Sequence, residues 1–543
     1  MNLREHVLRV FKMKNIIVLI VLGLGGVFLQ NGFVYKQADA IEYFNPENTV
    51  KNRVQPYTEN PMYWQYKGKP VLLLGASSND NLFQQTFSEL DDELKKLADH
   101  GGNYLRCTMS GRDEGDDYPF HRDDITGLFD LNKWSNNYWQ KFEYFLQSTQ
   151  KKEIIVQIEI WATYDFYNRH EGWGQNPFNP KMNSSYTAEE SKLPNEINYP
   201  AQTKNNPFFC SVPKLDNNHV VLPFQKKFVD KLLSIALKYP NVLYCIDNET
   251  KVRPEWGEFW SAYIRKIADG KGLNIYVTEM WDNWDPTEGL VGGAVDQHPE
   301  LGEWYTQFMN PAMNQWAKPS NTINNPGSYQ FIDISNNNTQ RGEVHYNTML
   351  FVRNNVLFSG LPRPVNNVKI YGGEEKGWNG NDKDGQERFW RNIFAGAASV
   401  RFHRPTSGLG NSHIALAHVK TMRMLTDEID FFKHKPANHL LEKREENEAY
   451  CIAKDQEEYV IWFTGKGEVN LNMFSGKYRI VKNEKNQKHL YELSTLDVPK
   501  REYEIKWLNV LTSKWTETQV MKMPGLLKTP SDEQWAVIIR SVN

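Results

Sequence analysis

Eight short apolar runs, each followed by a segment of helical periodicity, occupy the chain between Val71 and Phe432. Runs that are apolar throughout and end in polar or breaker residues are typical of buried parallel strands. The runs are residues 71–74, 103–107, 154–161, 242–246, 275–278, 330–334, 368–371 and 399–402. Eight strands that alternate with helices favour an α/β fold, the (β/α)8 or TIM barrel. A doubly wound open sheet is the competing topology, but no glycine-rich phosphate fingerprint follows the first run.

The last hundred residues have a different texture. After about residue 434, short strands are separated by turn residues, and helical periodicity stops. This pattern predicts a small antiparallel β-sandwich. We therefore expect a barrel domain at residues 41–435 and a sandwich at 436–543. The sandwich either binds sugar or braces the barrel.

The first 40 residues have the order of a secretory signal peptide. Basic residues precede an apolar run at 16–29, and residues 38–40 read Ala-Asp-Ala, a small-residue cleavage site. The run is short for a membrane span. We expect a protein that is secreted, or that works in the periplasm or at the cell surface. An uncleaved N-terminal anchor is the alternative.

The composition narrows the range of partners. A net charge of -3 implies no basic field for nucleic acid. The four cysteines form no CxxC or Cys/His cluster, so neither a metal site nor a cofactor is predicted. Aromatic residues make up 13% of the chain, including 17 tryptophans. Such richness fits either sugar-binding clefts or a large core.

Carboxylates stand at the ends of the fourth and seventh runs. The fourth ends in Asp247-Asn248-Glu249, and the seventh is followed by Gly-Gly and then Glu374 and Glu375. In a barrel, the C-terminal ends of the strands carry the chemistry. Glycoside hydrolysis needs one carboxyl to protonate the leaving oxygen and a second on the other side of the anomeric carbon. We therefore expect Glu249 and Glu374, or its neighbour Glu375, to be the catalytic pair of a retaining enzyme.

Two further expectations follow for the fourth strand end. Asn248 is suited to hold the sugar 2-hydroxyl. Glu249 must stay protonated to act as the acid, and partial burial with a like charge across the cleft would raise its pKa.

The sequence resembles the large clan of retaining (β/α)8 glycoside hydrolases in these features, together with Arg106 on the second strand. A closer likeness is to secreted bacterial proteins in which a glycosidase barrel precedes a collagen-binding-type β-sandwich, a group that includes pectin-degrading apiosidases. The matching stretches are NPMYWQYKGKPVLLLGAS, GGNYLRCTMS, NVLYCIDNET followed by EWGEFW, IFAGAASVRFHRP and, in the sandwich, IKWLNVLTSKW.

The resemblance implies roles for four residues. Glu249 would be the acid/base and Glu374 the nucleophile, Arg106 would hold the nucleophile ionised, and His403 would contact the sugar. The chain departs from the family at the seventh strand. There the family shows one Glu in a GEP- or TEP-like setting, and here two follow Gly-Gly. Glu375 therefore stays an alternative nucleophile.

Other residues near strand ends are candidate substrate contacts because of their position. Trp161 and Asp165 follow the third strand, Glu279 and Trp281 the fifth, and Trp378 the seventh. The tryptophans would serve as sugar platforms, or would pack a loop.

Structural alternatives remain for the charged candidates. Glu249 could be a helix N-terminal carboxylate, and Arg106 a barrel ion pair. Glu279 or Asp333, which also end strands, could be structural or could be the true second carboxylate.

The sequence leaves three functions open. The first is a glycoside hydrolase that acts on a polysaccharide or oligosaccharide without a cofactor. The second is a non-catalytic carbohydrate-binding protein on a glycosidase-like barrel. The third is a polysaccharide lyase, which needs a Tyr, His or Lys base beside an Arg or a metal.

Overall fold

The structure is a computed structural model. It describes residues 49–167, 172–197, 206–250, 252–280, 320–335, 340–373, 380–454, 457–473, 478–482, 488–492 and 500–542. The predicted signal peptide and four predicted site residues, Trp281, Glu374, Glu375 and Trp378, lie outside these ranges.

Eight parallel strands form the barrel. They are β1 Leu73–Ala76, β2 Tyr104–Thr108, β3 Ile155–Ala162, β4 Val242–Asn248, β5 Val277–Thr278, β6 Ile332–Asp333, β7 Val365–Ile370 and β8 Ser399–Phe402. Hydrogen bonds join them in the order β5-β4-β3-β2-β1-β8-β7-β6, with β8 beside β1. Chain order is thus spatial order around the ring, and β5 and β6 end the hydrogen-bonded path. The predicted TIM barrel is confirmed.

Eight helices follow the strands in turn. They are α1 Phe87–Asp99, α2 Asn136–Lys151, α3 Val221–Ala236, α4 Pro254–Gly270, α5 Ser320–Asn324, α6 Gly342–Phe358, α7 Asp382–Phe394 and α8 His413–Glu428. The first shows why such segments are helical. Thr86 and Glu89 form a capping box at its start, and Leu90, Leu94 and Leu97 bury one face.

Two antiparallel additions surround the early strands. A three-stranded sheet of Gln55–Pro56, Trp64–Tyr66 and Lys69–Val71 precedes β1. It includes Val71, which the sequence had placed in the first barrel strand, so β1 begins two residues later. A hairpin of Phe120–Arg122 and Phe129–Trp134 follows β2. Local pattern did not predict this hairpin, because it is an insertion in a loop.

The C-terminal part is all β, as predicted. Its main sheet contains Lys435–Pro436, Ala449–Lys454, Glu458–Phe463, Trp535–Ser541, Arg501–Asn509, Lys514–Trp515 and Gln519–Met523. A second sheet contains Leu441–Glu442, Glu468–Leu471 and Leu526–Lys528. Tyr478–Lys482 pairs with Lys488–Glu492. Buried residues of the two larger sheets, such as Ile461, Val469 and Val537, form one apolar cluster. Within the described residues, no helix is both long and apolar enough to cross a bilayer.

Aromatic stacking joins the sandwich to the barrel helices. Trp390 of α7 lies over Trp462 with ring centroids 5.4 Å apart and planes 18° from parallel. Tyr450 stacks on the other side of this pair, 5.5 Å from Trp462. The Trp390 indole also donates to His418 Nδ1 of α8 (2.8 Å). These contacts favour the bracing role for the sandwich.

We expect Trp390→Ala to lower the free energy of unfolding by about 3–5 kcal/mol, because it leaves a cavity where two domains meet. Urea unfolding followed by tryptophan fluorescence and circular dichroism measures this. Trp390→Phe keeps a stacking ring and should cost clearly less. Equal losses for the two variants would contradict a role for ring stacking.

Candidate active site

Amide and hydroxyl side chains form a hydrogen-bonded layer in the barrel interior. The Tyr104 hydroxyl donates to Gln157 Oε1 (2.6 Å), and Gln157 Nε2 donates to Asp333 Oδ2 (2.7 Å). Asn366 Nδ2 lies 3.2 Å from both Tyr104 and Gln157. Asp333 is 3% exposed and also accepts from the Ser335 N–H (2.8 Å). These contacts favour the structural alternative for Asp333.

Arg106 lies above this layer, on β2, and is 1% exposed. Its Nε donates to Glu159 Oε1 of β3 (2.7 Å), and its Nη1 lies 3.1 Å from Asp80 Oδ2. Its Nη2 is buried and has no hydrogen-bond partner among the described residues. The described contacts are those of a barrel ion pair, while the predicted support of a nucleophile by Arg106 stays a prediction.

Asp80, in the loop after β1, is the centre of a group of arginines. Its carboxylate is fully buried and lies 2.6 Å from Arg112, 3.0 Å from Arg401 and 3.5 Å from Arg404, in addition to Arg106. Burial alone would raise the pKa of Asp80, but Arg106 and the other cations hold it well below its usual value. The sequence analysis missed Asp80, although it follows the first strand in the polar run Asn79-Asp80-Asn81.

Glu249 sits directly past the end of β4 and has an unusual backbone. Its φ is +53°, a left-handed conformation that costs free energy for a residue other than glycine. The Thr163 hydroxyl donates to the Glu249 carbonyl (3.2 Å) and contacts the Asn248 carbonyl, so the turn is held by hydrogen bonds. The Glu249 side chain is 36% exposed. The chain therefore presents this carboxylate at the C-terminal mouth of the barrel.

Lys369 of β7 is the side chain that contacts Glu249. Its ammonium is 1% exposed, pairs with Glu249 Oε1 and donates to Asn248 Oδ1 (2.7 Å). Burial favours the neutral form of Glu249, but Lys369, followed by Arg106, outweighs it and lowers the pKa of Glu249. The expected rise in that pKa is therefore wrong for the free protein, because the described residue that pairs with Glu249 is a cation. The carboxylates expected across the cleft, Glu374 and Glu375, lie outside the described residues. Lys369 is the charged residue in the otherwise uncharged run 365–373. A single charge in a buried strand indicates a residue of the site, and Lys369 was not among the predicted site residues.

Asp165, after β3, titrates close to neutrality. It is 8% exposed, and burial raises its pKa to about 7 against the opposing charge of Arg112. The Gly111 N–H donates to Asp165 Oδ2 (3.3 Å). Asp116 lies in the same loop cluster, and burial raises its pKa to about 6. These two carboxyls are candidate proton carriers beside the Arg112 end of the site.

His403, just past β8, is 4% exposed and packs edge-on against Tyr371 with ring centroids 4.6 Å apart. Burial and the nearby arginines lower the pKa of His403 well below its usual value, although Asp80 opposes them. The ring is therefore neutral. Its predicted contact with sugar stays a prediction.

Two predicted substrate contacts lie in the core. Trp161 is 1% exposed and is surrounded by rings, including Phe228 at 5.1 Å and Phe208 at 5.4 Å. Glu279 is fully buried, accepts from the Tyr329 hydroxyl (2.5 Å) and shares a hydrogen bond with Asp247. Their burial favours the packing alternative for Trp161 and the structural alternative for Glu279, and their predicted contacts with substrate stay predictions.

The Asp247–Glu279 pair holds its proton to near-neutral pH. Burial raises the pKa of Glu279 to about 7 and raises that of Asp247 well above its usual value. The Trp256 indole donates to Asp247 Oδ2 (3.0 Å), which fixes the pair beneath the β4 end. The pair therefore supports the backbone next to Glu249.

The structure thus brings Asn248, Glu249, Lys369 and the Asp80 cluster to one end of the barrel. The described residues include no group of three or more His, Cys, Asp or Glu side chains placed to hold a metal ion.

Solved glycosidase structures share this architecture. A crystal structure of a glycoside hydrolase family 5 protein from Bacteroides vulgatus ATCC 8482 aligns with a TM-score of 0.54 and 13% identity, over 92% of this chain and 95% of that one. A candidate glycoside hydrolase from the same organism aligns with a TM-score of 0.53 and 11% identity, over 91% and 83%. At these identities the likeness establishes the fold. No protein-family model matches the chain, and no curated protein does.

We expect Asp80→Asn to lower the free energy of unfolding by about 3–5 kcal/mol, because it leaves buried guanidinium groups without their anion. Asp113→Asn is the matched control. Asp113 is 33% exposed, and Arg404 is the residue of the described chain with which it forms an ion pair, so its loss should be about 1 kcal/mol or less.

Urea unfolding at several pH values measures both variants. The low pKa of Asp80 stabilises the folded protein fully above the unfolded-state pKa, and this stability declines as pH falls from that value through the folded-state pKa. The deficit of Asp80→Asn should therefore persist below pH 3.8, the usual Asp value. A deficit that disappears above that pH would contradict the low pKa.

Proposed function

We propose that the protein is a glycoside hydrolase that cleaves O-glycosidic bonds of a polysaccharide or oligosaccharide, with Glu249 as the acid/base. The observation that carries the proposal is the position of Glu249, partly exposed in a left-handed turn directly past β4. Barrel enzymes place their reacting groups at this end of the strands. A strained backbone that hydrogen bonds hold in place is characteristic of functional sites. The shared architecture with family 5 glycoside hydrolases supports the same reading.

We propose a retaining mechanism, with Glu374 as the nucleophile and Glu375 as its alternative. The Glu374 carboxylate would attack the anomeric carbon while Glu249 gives its proton to the departing oxygen. Water, deprotonated by Glu249, would then release the sugar from the glycosyl-enzyme. Asn248 would hold the 2-hydroxyl through the side-chain amide that also accepts from Lys369.

The Lys369 ion pair affects the balance between the ionised and the protonated form of Glu249, and the two steps need different forms. In the free protein the ammonium keeps Glu249 ionised, which suits the base of the second step. For the first step Glu249 needs a proton, so the lowered pKa shifts the productive form toward acidic pH.

We propose that the enzyme works outside the cytoplasm, as the N-terminal segment predicts. We propose that it acts on plant or microbial polysaccharide, as the resemblance to apiosidase-containing proteins implies.

The same ion pair favours a second candidate function. A lysine that pairs with Glu249 and keeps it ionised would suit a barrel that binds carbohydrate without cleaving it. Hydrolysis and binding therefore have to be measured separately.

We expect Glu249→Gln to lower kcat/KM by about 10²–10⁴-fold, because the general acid and base is lost. Oligosaccharides and plant polysaccharides supply the substrate, because their sugar leaving groups need the proton of the acid. Proton NMR of the first-formed anomer reports retention. Glu258→Gln is the control, since Glu258 is similarly exposed (34%) but lies on α4 and pairs with Lys214. Undiminished turnover by Glu249→Gln would sink the assignment. Binding without turnover by the wild type would favour the second candidate.

Lys369→Met tests the role of Glu249 through the pH profile of kcat/KM. Removing the ammonium raises the pKa of Glu249. If Glu249 must carry a proton, activity is lost as pH rises through its pKa, so the alkaline limb should move to higher pH. This is the result that we expect.

Movement of the acidic limb to higher pH would instead mean that Glu249 reacts in its ionised form, as a base or nucleophile. Lys383→Met removes an exposed lysine of α7 (69% exposed) and should move neither limb. Unchanged limbs in Lys369→Met would show that Lys369 does not set this pKa.

A further inference from the structure

A second concave surface lies on the outer wall of the barrel, along α3. This α3 groove has a volume of about 720 Å³. Its charged and aromatic lining comes from α3 and other segments, and includes Lys226, Lys227, Asp230, Lys231, Trp134, His219 and Tyr263. The groove contains none of the residues of the candidate active site.

Among the described residues, the lysines of the α3 groove form no ion pairs, although Asp230, Asp130 and Glu143 act on them from a greater distance. Neighbouring lysines outside the groove are paired, Lys214 with Glu258 at 3.2 Å and Lys238 with Glu143 at 2.9 Å. Among the described residues, no carboxylate lies within ion-pair distance of any of the three groove lysines. The carboxylate in the lining, Asp230, instead accepts from the Tyr263 hydroxyl (2.8 Å).

Aromatic rings hold these lysines at the surface. Lys226 Nζ lies 5.5 Å from the centre of the Tyr263 ring, and Lys227 Nζ lies 5.4 Å from that of Trp134. The lysines are half-buried, and burial lowers the pKa of Lys227 and Lys231. A half-buried ammonium without an anion gains more from an incoming carboxylate than a fully hydrated one does.

The charge of the groove contrasts with that of the whole protein. Three lysines face a single carboxylate, on a chain whose net charge is -3. Rings beside cations fit an acidic sugar, because its carbon atoms can contact the parts of Trp134 and Tyr263 that line the groove while its carboxylate pairs with an ammonium. We propose that the α3 groove is a surface site for an acidic, uronate-bearing polysaccharide. It would hold the polymer on the outer barrel wall, independently of the catalytic cleft.

The experiment measures retention in native gels that contain polygalacturonate. All proteins carry Glu249→Gln, so that the polymer stays intact. The combined variant Lys226→Gln, Lys227→Gln, Lys231→Gln should bind about tenfold more weakly, since three ion contacts of half-buried lysines with the polymer are lost. Its remaining binding should also depend less on salt. Far-UV circular dichroism and the thermal midpoint check that the variant is folded.

A matched control keeps the charge change and moves it elsewhere. Lys151→Gln, Lys152→Gln, Lys420→Gln alters three lysines that do not line the groove, and should bind as the parent does. Equal weakening of the two triple variants would overturn the proposal, because only net charge would then matter. Retention by neutral galactomannan as strong as by polygalacturonate would overturn it as well, and so would equally tight binding of duplex DNA.

This test is separate from that of the active site. Loss of hydrolysis in Glu249→Gln bears on the proposed function alone, and loss of polymer retention in the α3 variant bears on the groove alone.

Discussion

One buried carboxylate holds together the C-terminal end of the barrel. Asp80 follows β1, while the cations around it come from β2, from the loop after β2, and from the β8 end. Removing an ion from water is costly, and only several close counter-ions make it tolerable. Because these counter-ions sit on separate elements, Asp80 fixes the spacing of β1, β2 and β8. Of the arginines around Asp80, only Arg401 also donates to a backbone carbonyl of β7. Its Nη1 donates to the carbonyl of Val368 (2.9 Å).

Arg401 connects the Asp80 cluster to β7, and β7 also carries the side chain that pairs with Glu249. Lys369 is the charged residue of β7, and its side chain reaches across the mouth of the barrel to Glu249 and Asn248. A carboxylate in that place would raise the pKa of Glu249 by like-charge repulsion, whereas an ammonium lowers it. The chemistry of the site therefore depends on the sign of one β7 side chain. In the proposed hydrolase, this sign places the productive protonation state of Glu249 at acidic pH.

The two regions that handle carbohydrate in our proposals use charge differently. At the barrel mouth, cations and carboxylates contact each other closely and leave little unpaired charge. In the α3 groove, lysines lie on aromatic rings without carboxylate partners. The first arrangement sets protonation states, and the second offers free positive charge to a ligand.

The sequence by itself determined the barrel, the sandwich and the position of Asn248 and Glu249, because apolar runs with breakers, helical periodicity and strand ends are local properties. The eighth strand was predicted with its observed bounds, residues 399–402. Only the tertiary structure decided that Trp161 and Glu279 are buried, since burial depends on which rings and helices pack over a strand end. It alone paired Glu249 with Lys369, 120 residues away along the chain. The protonation state of a carboxyl follows from such distant neighbours and their charge, and no local pattern contains them.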